Sequence, residues 1–142
     1  MSNKYDSIKL ENQLCFPLYA VSNKIIRSYK PFLDKLNLTY TQYITMMVLW
    51  GQDNINQKQL GEKLYLKSNT LTPLLKKLEE KGYINIYKSS NDERQIIISL
   101  TKHGIQLKDQ AIEIPKAISE SMHLEIDEIT NLYNTLYKIL DN

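Results

Sequence analysis

Apolar residues recur every three to four positions through most of the chain, so most of it reads as amphipathic helix. Over residues 10–29 the apolar face is Leu14, Leu18, Val21 and Ile25. Pro31 is expected to end that helix near Lys30, because a residue before proline avoids helical geometry. Thr39 followed by Gln42 has the spacing of a capping box, opening a second helix through Tyr43, Met46, Met47 and Trp50. Gly51 and the polar QDNIN break the pattern. Asn56 is placed to cap a short helix with Leu60 and Leu64 inward, and Ser68 to cap another whose buried stripe is Leu71, Leu74, Leu75 and Leu78. Gly82 stands where a C-terminal cap belongs.

Two short helices joined by Leu66, Lys67 and little else have helix-turn-helix spacing. The segment YINIYK (83–88) alternates and is rich in Tyr and Ile, SSNDE is a turn, and RQIIISL reads as a returning strand. Helix, turn, helix and hairpin is the order of a winged helix. Thr101 starts a further helix, Pro115 interrupts or ends it, and a last helix is expected to bury Ile129, Leu132, Tyr133, Leu136 and Leu140. The fold class is therefore mainly α with a small β-hairpin wing. Its organisation is an N-terminal helical region over residues 1–36, a winged helix-turn-helix core over 37–102, and C-terminal helices over 103–142. The terminal helices are amphipathic and lie outside the winged core. They either pack on their own domain or build a homodimer interface, the commonest symmetric assembly.

Composition narrows the function classes. Charged residues are 24% and apolar residues 42% of 142, the balance of a soluble globular domain. No apolar run approaches a membrane span, and the polar start MSNKYDSIKLENQ does not resemble a secretory signal, so a reducing cytoplasm is expected. A single cysteine, Cys15, forms no internal disulfide and begins no zinc site of the usual spacing. No Gly-rich phosphate loop, His pair or metal-ligand cluster suggests an enzyme, a metal or a cofactor. The net charge of +2 is uninformative, but residues 57–94 hold eight Lys or Arg against five Asp or Glu, a local excess suited to phosphates.

In a helix-turn-helix the second helix enters the DNA major groove by its N-terminal residues. Here these are Ser68, Asn69, Thr70 and Thr72, all short and polar, with Lys76 and Lys77 further on where phosphates lie. Ser68 and Thr70 also read simply as capping residues. Pro73 suggests that the regular helix starts late or that its first turn is distorted. At the hairpin tip Arg94 suits a narrow minor groove, and Asp92 is placed to hold it across the turn, though an ordinary charged turn has the same spacing.

These segments resemble the MarR family. The resemblance is carried by LGEKLYLKSNTLTPLLKKLEEKGYI, then NDERQIIISLTKHG with its D-x-R wing (Asp92, Arg94) and its L-T-x-x-G exit (Leu100, Thr101, Gly104). The stretches ENQLCFPLYA and YKPFLDKLNLTYTQYITMMVLW are similar to the OhrR subgroup of organic-hydroperoxide sensors, so the likeness covers residues 8 to about 108. It implies a homodimeric repressor of double-stranded DNA bearing an inverted-repeat operator, with no membrane partner. It further implies that Cys15 is the reactive thiol, with Tyr19 and Tyr29 near it, that organic hydroperoxide oxidises it, and that the oxidised form releases DNA. With no second cysteine in the chain, the next step takes a low-molecular-weight thiol or a backbone nitrogen. Two departures stand out: Pro17 replaces an ordinary helix former, and Lys67 stands where the family commonly has Asp.

By itself a lone cysteine also reads as a small buried hydrophobe. The corresponding alternative is a MarR-type repressor answering a small phenolic ligand or another redox signal, with Cys15 structural. Helical geometry supports the sensing role and adds a condition. Positions 15, 19, 22, 26 and 29 fall within about 40° of one line, placing Cys15, Tyr19, Ser22, Ile26 and Tyr29 on one stripe. Cys15 and Tyr29 are nevertheless about 21 Å apart along one helix at 1.5 Å per residue. If two copies cross antiparallel at the small Ser22, residue 15 of one faces residue 29 of the other. Pro17 either kinks this helix or starts it near Phe16, leaving Cys15 at a helix N-terminus where the dipole favours a thiolate.

Overall fold

The computed structural model describes residues 3–142. After two single turns of 3-10 helix at Asp6–Ile8 and Leu10–Asn12 come α1 (Cys15–Lys35), α2 (Tyr40–Gly51), β1 (Ile55–Asn56), α3 (Gln57–Leu64) and α4 (Ser68–Glu80). They are followed by β2 (Ile84–Lys88), β3 (Ile96–Leu100), α5 (Lys102–Ala111), α6 (Ile114–Ser121) and α7 (Ile126–Leu140). The chain forms two compact units, residues 1–112 and 113–142.

The first unit is a winged helix. α2 opens on the expected capping box, with Thr39 Oγ1 accepting from the Gln42 N–H and Gln42 Oε1 from the Thr39 N–H at 3.0 Å. Asn56 Oδ1 caps α3 through the Gln59 N–H at 2.8 Å. Gly61 lets the helix-turn-helix close, since a Cβ there would sit 2.9 Å from the Leu66 carbonyl oxygen. α4 ends with Gly82 at φ +81° and the Tyr83 N–H returning to the Leu78 carbonyl, a closure that satisfies two orphan carbonyls. Leu60, Leu71, Leu75 and Leu78 are fully buried with Tyr43, Met46 and Leu49 of α2 and Ile98 of β3. The wing is β2 against β3, antiparallel, with Ile86 opposite Ile98. β1 adds a third strand on the other side of β3, pairing Ile55 with Ile98. At two residues β1 is too short to leave an alternation in sequence.

Several expectations change. The segment 10–29 is not one helix: α1 starts at Cys15 and runs through Pro31 to Lys35. Pro31 removes one backbone donor, but it and Arg27, whose carbonyl loses that partner, are both exposed. The helix stops instead at Asn37, in the left-handed region at φ +56°, with the Leu38 N–H closing on the Leu33 carbonyl. Pro17 occupies the third helical position, where its missing N–H is an orphan anyway, so Cys15 is the first residue of α1. Ser68 is the first residue of α4 and Lys67 is its cap, without a side-chain cap bond. Pro73 neither delays nor breaks α4. Pro115 starts α6 rather than ending the helix before it.

The second unit holds α6 and α7. Glu125 and Glu128 form a capping box at the start of α7, and Tyr133 stacks on Tyr137 at 4.7 Å. The expected α7 stripe is present but not buried: Leu132, Tyr133 and Leu140 are exposed, and Ile129 and Leu136 are half-buried. Burying that stripe takes a surface that the second unit by itself does not supply.

Candidate nucleic-acid interface and sensing thiol

The first turns of α4 present Ser68, Asn69, Thr70 and Thr72 to solvent, and Lys76 and Lys77 follow on its exposed side. The helix keeps these polar groups outward because its leucines occupy the opposite face. Thr72 Oγ1 accepts from Gln57 Nε2 at 2.9 Å, which fixes one side of the hydroxyl and leaves its proton to donate elsewhere. The wing tip is ordered by Asp92, whose Oδ1 accepts from the Arg94 N–H at 3.0 Å and from Arg94 Nε at 3.3 Å. The Arg94 side chain is 93% exposed, so the carboxylate aims the guanidinium without burying it.

A cleft of about 670 Å³ lies between the helix-turn-helix and the wing, and it brings Ser68 and Arg94 together with Lys58, Lys67 and Tyr65. Asn69, Thr70, Thr72, Lys76, Lys77 and Asp92 do not line it. Lys58 and Tyr65 were not singled out in the sequence, where Lys58 is one charge in a mixed helix. Tyr65 adopts φ +56° at the end of α3, a conformation that only the tight turn makes necessary. Three cations against Glu62 give the cleft a positive balance.

The wing and reading helix are tied to the body by polar bonds. Glu79 Oε2 accepts from the Ile86 N–H at 3.1 Å, joining α4 to β2. Asp53 Oδ1 accepts from the Leu100 N–H at 2.9 Å, and the Tyr87 hydroxyl donates to Asn54 Oδ1 at 2.9 Å. Lys81 Nζ donates to the Asn37 carbonyl and to Gln42 Oε1, both at 2.7 Å. Burial, with Lys77 nearby, holds the Lys81 ammonium below the usual lysine range.

On α1, Cys15, Tyr19, Ser22 and Ile26 are exposed and Tyr29 is half-buried. The stripe continues into an aromatic cluster: the Tyr29 ring lies 5.0 Å from Tyr40 and 5.6 Å from Tyr43 of α2. Desolvation first, then Tyr40 and Tyr43, pushes the Tyr29 phenol up to about 12. It is therefore a protonated hydroxyl at neutral pH, fit to donate a hydrogen bond. Tyr40 is the neighbour that the sequence did not reveal, because its contact with Tyr29 crosses between two helices. Leu14, which caps the same helix, and Leu18 and Val21 on it are exposed. Among the described residues, no group of three or more His, Cys, Asp or Glu is arranged to hold a metal ion, and no helix is long and apolar enough to cross a membrane.

Comparison with known proteins places this geometry. The family model for the transcriptional regulators SarA/Rot matches residues 27–111. The chain is 46% identical to the organic hydroperoxide resistance transcriptional regulator of Bacillus subtilis, over 99% of this chain and 96% of that one. Among solved structures it is similar to reduced AbfR bound to DNA, with TM-score 0.80 and 36% identity over 97% and 96% of the two chains. A mutant MarR from E. coli complexed with operator DNA has the same fold, with TM-score 0.84 and 22% identity over 98% and 99%.

Proposed function

The chain belongs to the MarR-type winged-helix transcriptional regulators, the family that includes the organic hydroperoxide resistance regulator of Bacillus subtilis, and from that premise we propose that it is a cytoplasmic, homodimeric repressor that releases operator DNA when Cys15 is oxidised. Ser68, Asn69, Thr70 and Thr72 read the major groove of an inverted repeat, Lys76 and Lys77 hold phosphates, and Asp92 sets Arg94 for the minor groove. Residues 1–36 and 103–142 pair the two copies, and residues 37–102 read DNA. The exposed apolar faces of α1 and α7 support that division.

The observation that carries the redox reading is the stripe on α1. Cys15 stands exposed at the helix start, and a desolvated, protonated Tyr29 lies two turns past Ser22 on the same line. In an antiparallel crossing at Ser22, Tyr29 of the partner subunit donates to the Cys15 thiolate, Tyr40 supports its ring, and Tyr19 flanks the sulfur. The thiolate attacks the distal oxygen of an organic hydroperoxide, and an S–O bond forms as the O–O bond breaks. Sulfur gives up two electrons, the alkoxide leaves and is protonated to the alcohol, and Cys15 becomes a sulfenic acid. A low-molecular-weight thiol then displaces water to give a mixed disulfide. The enlarged polar sulfur no longer fits the crossing, and the two reading heads lose operator spacing.

The test is operator affinity on an inverted-repeat fragment, reduced and after cumene hydroperoxide, for wild type and Cys15→Ser. Wild type is expected to lose about tenfold or more, within the usual coupling range, and the serine variant nothing. Release by the serine variant removes Cys15 from the switch while leaving the repressor. Failure of the reduced wild type to prefer the inverted repeat over unrelated DNA removes the repressor.

A further inference from the structure

The turn that follows α1 and the residues just past the reading helix are joined by polar bonds whose donors are Lys81 and Tyr83. α1 ends in the left-handed turn at Asn37, which turns its last carbonyls out of the helix. The Leu36 carbonyl accepts from the buried Tyr83 hydroxyl at 2.9 Å, and the Asn37 carbonyl accepts from Lys81 Nζ at 2.7 Å. The same ammonium donates to Gln42 Oε1, whose oxygen also accepts the Thr39 N–H that starts α2. Lys81 thus closes the α1–α2 corner on the end of α4.

The choice of lysine is informative. Among the described residues the ion pairs are Lys9–Asp6, Lys30–Asp34 and Arg94–Asp92, so the Lys81 ammonium faces neutral oxygens and no carboxylate. It is half-buried, and it lies where the α1 dipole is negative. The leucines of α4 pack through apolar contacts, which permit small slides, whereas two short charge-assisted bonds from one ammonium fix a position.

We propose that Lys81 is the positioning residue that couples α1 to the reading helix, so that a displacement of α1 at the dimer crossing carries the carboxyl end of α4 with it. This rests on the reading that α1 bears the sensing thiol and α4 reads the operator, and linkage requires the coupling to run both ways. Tyr83, just before β2, holds the neighbouring Leu36 carbonyl.

Two measurements test it on the full-length protein. The first is the ratio of operator affinity before and after cumene hydroperoxide for wild type, Lys81→Met and Lys81→Arg, with sedimentation and circular dichroism confirming a folded assembly. A wild-type ratio of about 10 is expected to fall below about 2 in Lys81→Met and to recover in Lys81→Arg, which keeps the donors. An unchanged ratio in Lys81→Met overturns the proposal. Should Lys81→Met fail to fold, Lys81→Leu, which likewise has no donor, takes its place with the same expectation. The second is amide hydrogen exchange with and without the operator. In wild type the operator is expected to slow exchange at Asn37 and Leu38 by about fivefold or more, and in Lys81→Met by less than about twofold. No slowing in wild type, or equal slowing in both, overturns the proposal. If wild type keeps its operator after oxidation, the redox reading falls, and the exchange measurement alone decides the joint.

Discussion

Replacing Lys67 with Asp is expected to stabilise the protein and weaken its hold on DNA. Lys67 caps α4 at φ −77°, ψ 157°, and its side chain accepts nothing. Asn56, at φ −75°, ψ 153°, caps α3 from almost the same backbone geometry, as Thr39 and Thr101 cap α2 and α5 from nearby values. An Asp at position 67 therefore meets the orphan N–H groups of Asn69 and Thr70 without moving the chain. A good cap contributes about 1 kcal/mol. The gain here lies below that, because the Thr70 N–H already reaches the Lys67 carbonyl at 3.0 Å. Replacing a cation by an anion at the positive end of α4 adds about 0.5 kcal/mol. A total near 1 kcal/mol raises Tm by about 3 °C for a domain of this size.

DNA binding moves the other way. Lys67 lines the cleft shared by Ser68 and Arg94, the groups assigned to the operator's grooves, so its cation is expected to lie near the DNA phosphates. Each lost phosphate contact lowers the slope of log affinity against log salt by about 0.9, or about 1.8 for two protomers. The assay is thermal melting at fixed protein concentration beside operator affinity over a salt series, with Lys67→Ala as the control that removes charge without adding a cap. A Tm at or below wild type in Lys67→Asp refutes the capping argument. An unchanged salt slope in both variants refutes the phosphate contact.

Three further outcomes follow from the geometry. Tyr83→Phe leaves the buried Leu36 carbonyl without its 2.9 Å donor, and is expected to lower stability by about 1–2 kcal/mol, read as a drop in urea midpoint at constant slope. Because the Tyr29 phenol is raised to about 12, its neutral form stabilises the fold fully below pH 10, and that stability is lost as pH rises through 12. The alkaline fall in Tm between pH 10 and 12 is therefore expected to be shallower in Tyr29→Phe. Leu132→Glu on the exposed face of α7 is expected to keep the helical circular dichroism of the wild type while sedimentation shifts from dimer to monomer.

What was legible in the sequence was what is local. Thr39 with Gln42, Asn56 and Gly82 mark helix ends through bonds to residues three or four away, and each stands where it was expected. Pro31 misled because its penalty is also local: at an exposed position the lost bond is tolerable, and the stronger stop is Asn37, whose left-handed turn the sequence marks only weakly. Ser68 was misplaced by one residue because its type suits a cap, while the chain put Lys67 there. Contacts between elements were not legible. Tyr40 beside Tyr29, Lys81 on Asn37 and β1 beside β3 each depend on a path through the fold that no spacing encodes.

The α1 and α7 stripes could be seen in sequence, but their burial could not, since each unit by itself leaves its stripe in water. That incompleteness suits a sensor. A thiol on a finished surface could be oxidised with no mechanical consequence, whereas a thiol in an interface carries the free energy of everything packed around it. One oxygen added to sulfur in such a site brings an uncompensated polar group, costing about 1–3 kcal/mol in protein interiors. The coupling free energies that separate operator-bound from released repressors are of the same size, about 1–3 kcal/mol. Two Cys15 residues in the proposed dimer therefore supply enough to move it off its operator without unfolding it. The same arithmetic sets the demand on the rest of the molecule: the joint at Lys81 has to deliver most of that energy to α4, and slack in it equal to one lost hydrogen bond would remove much of the signal.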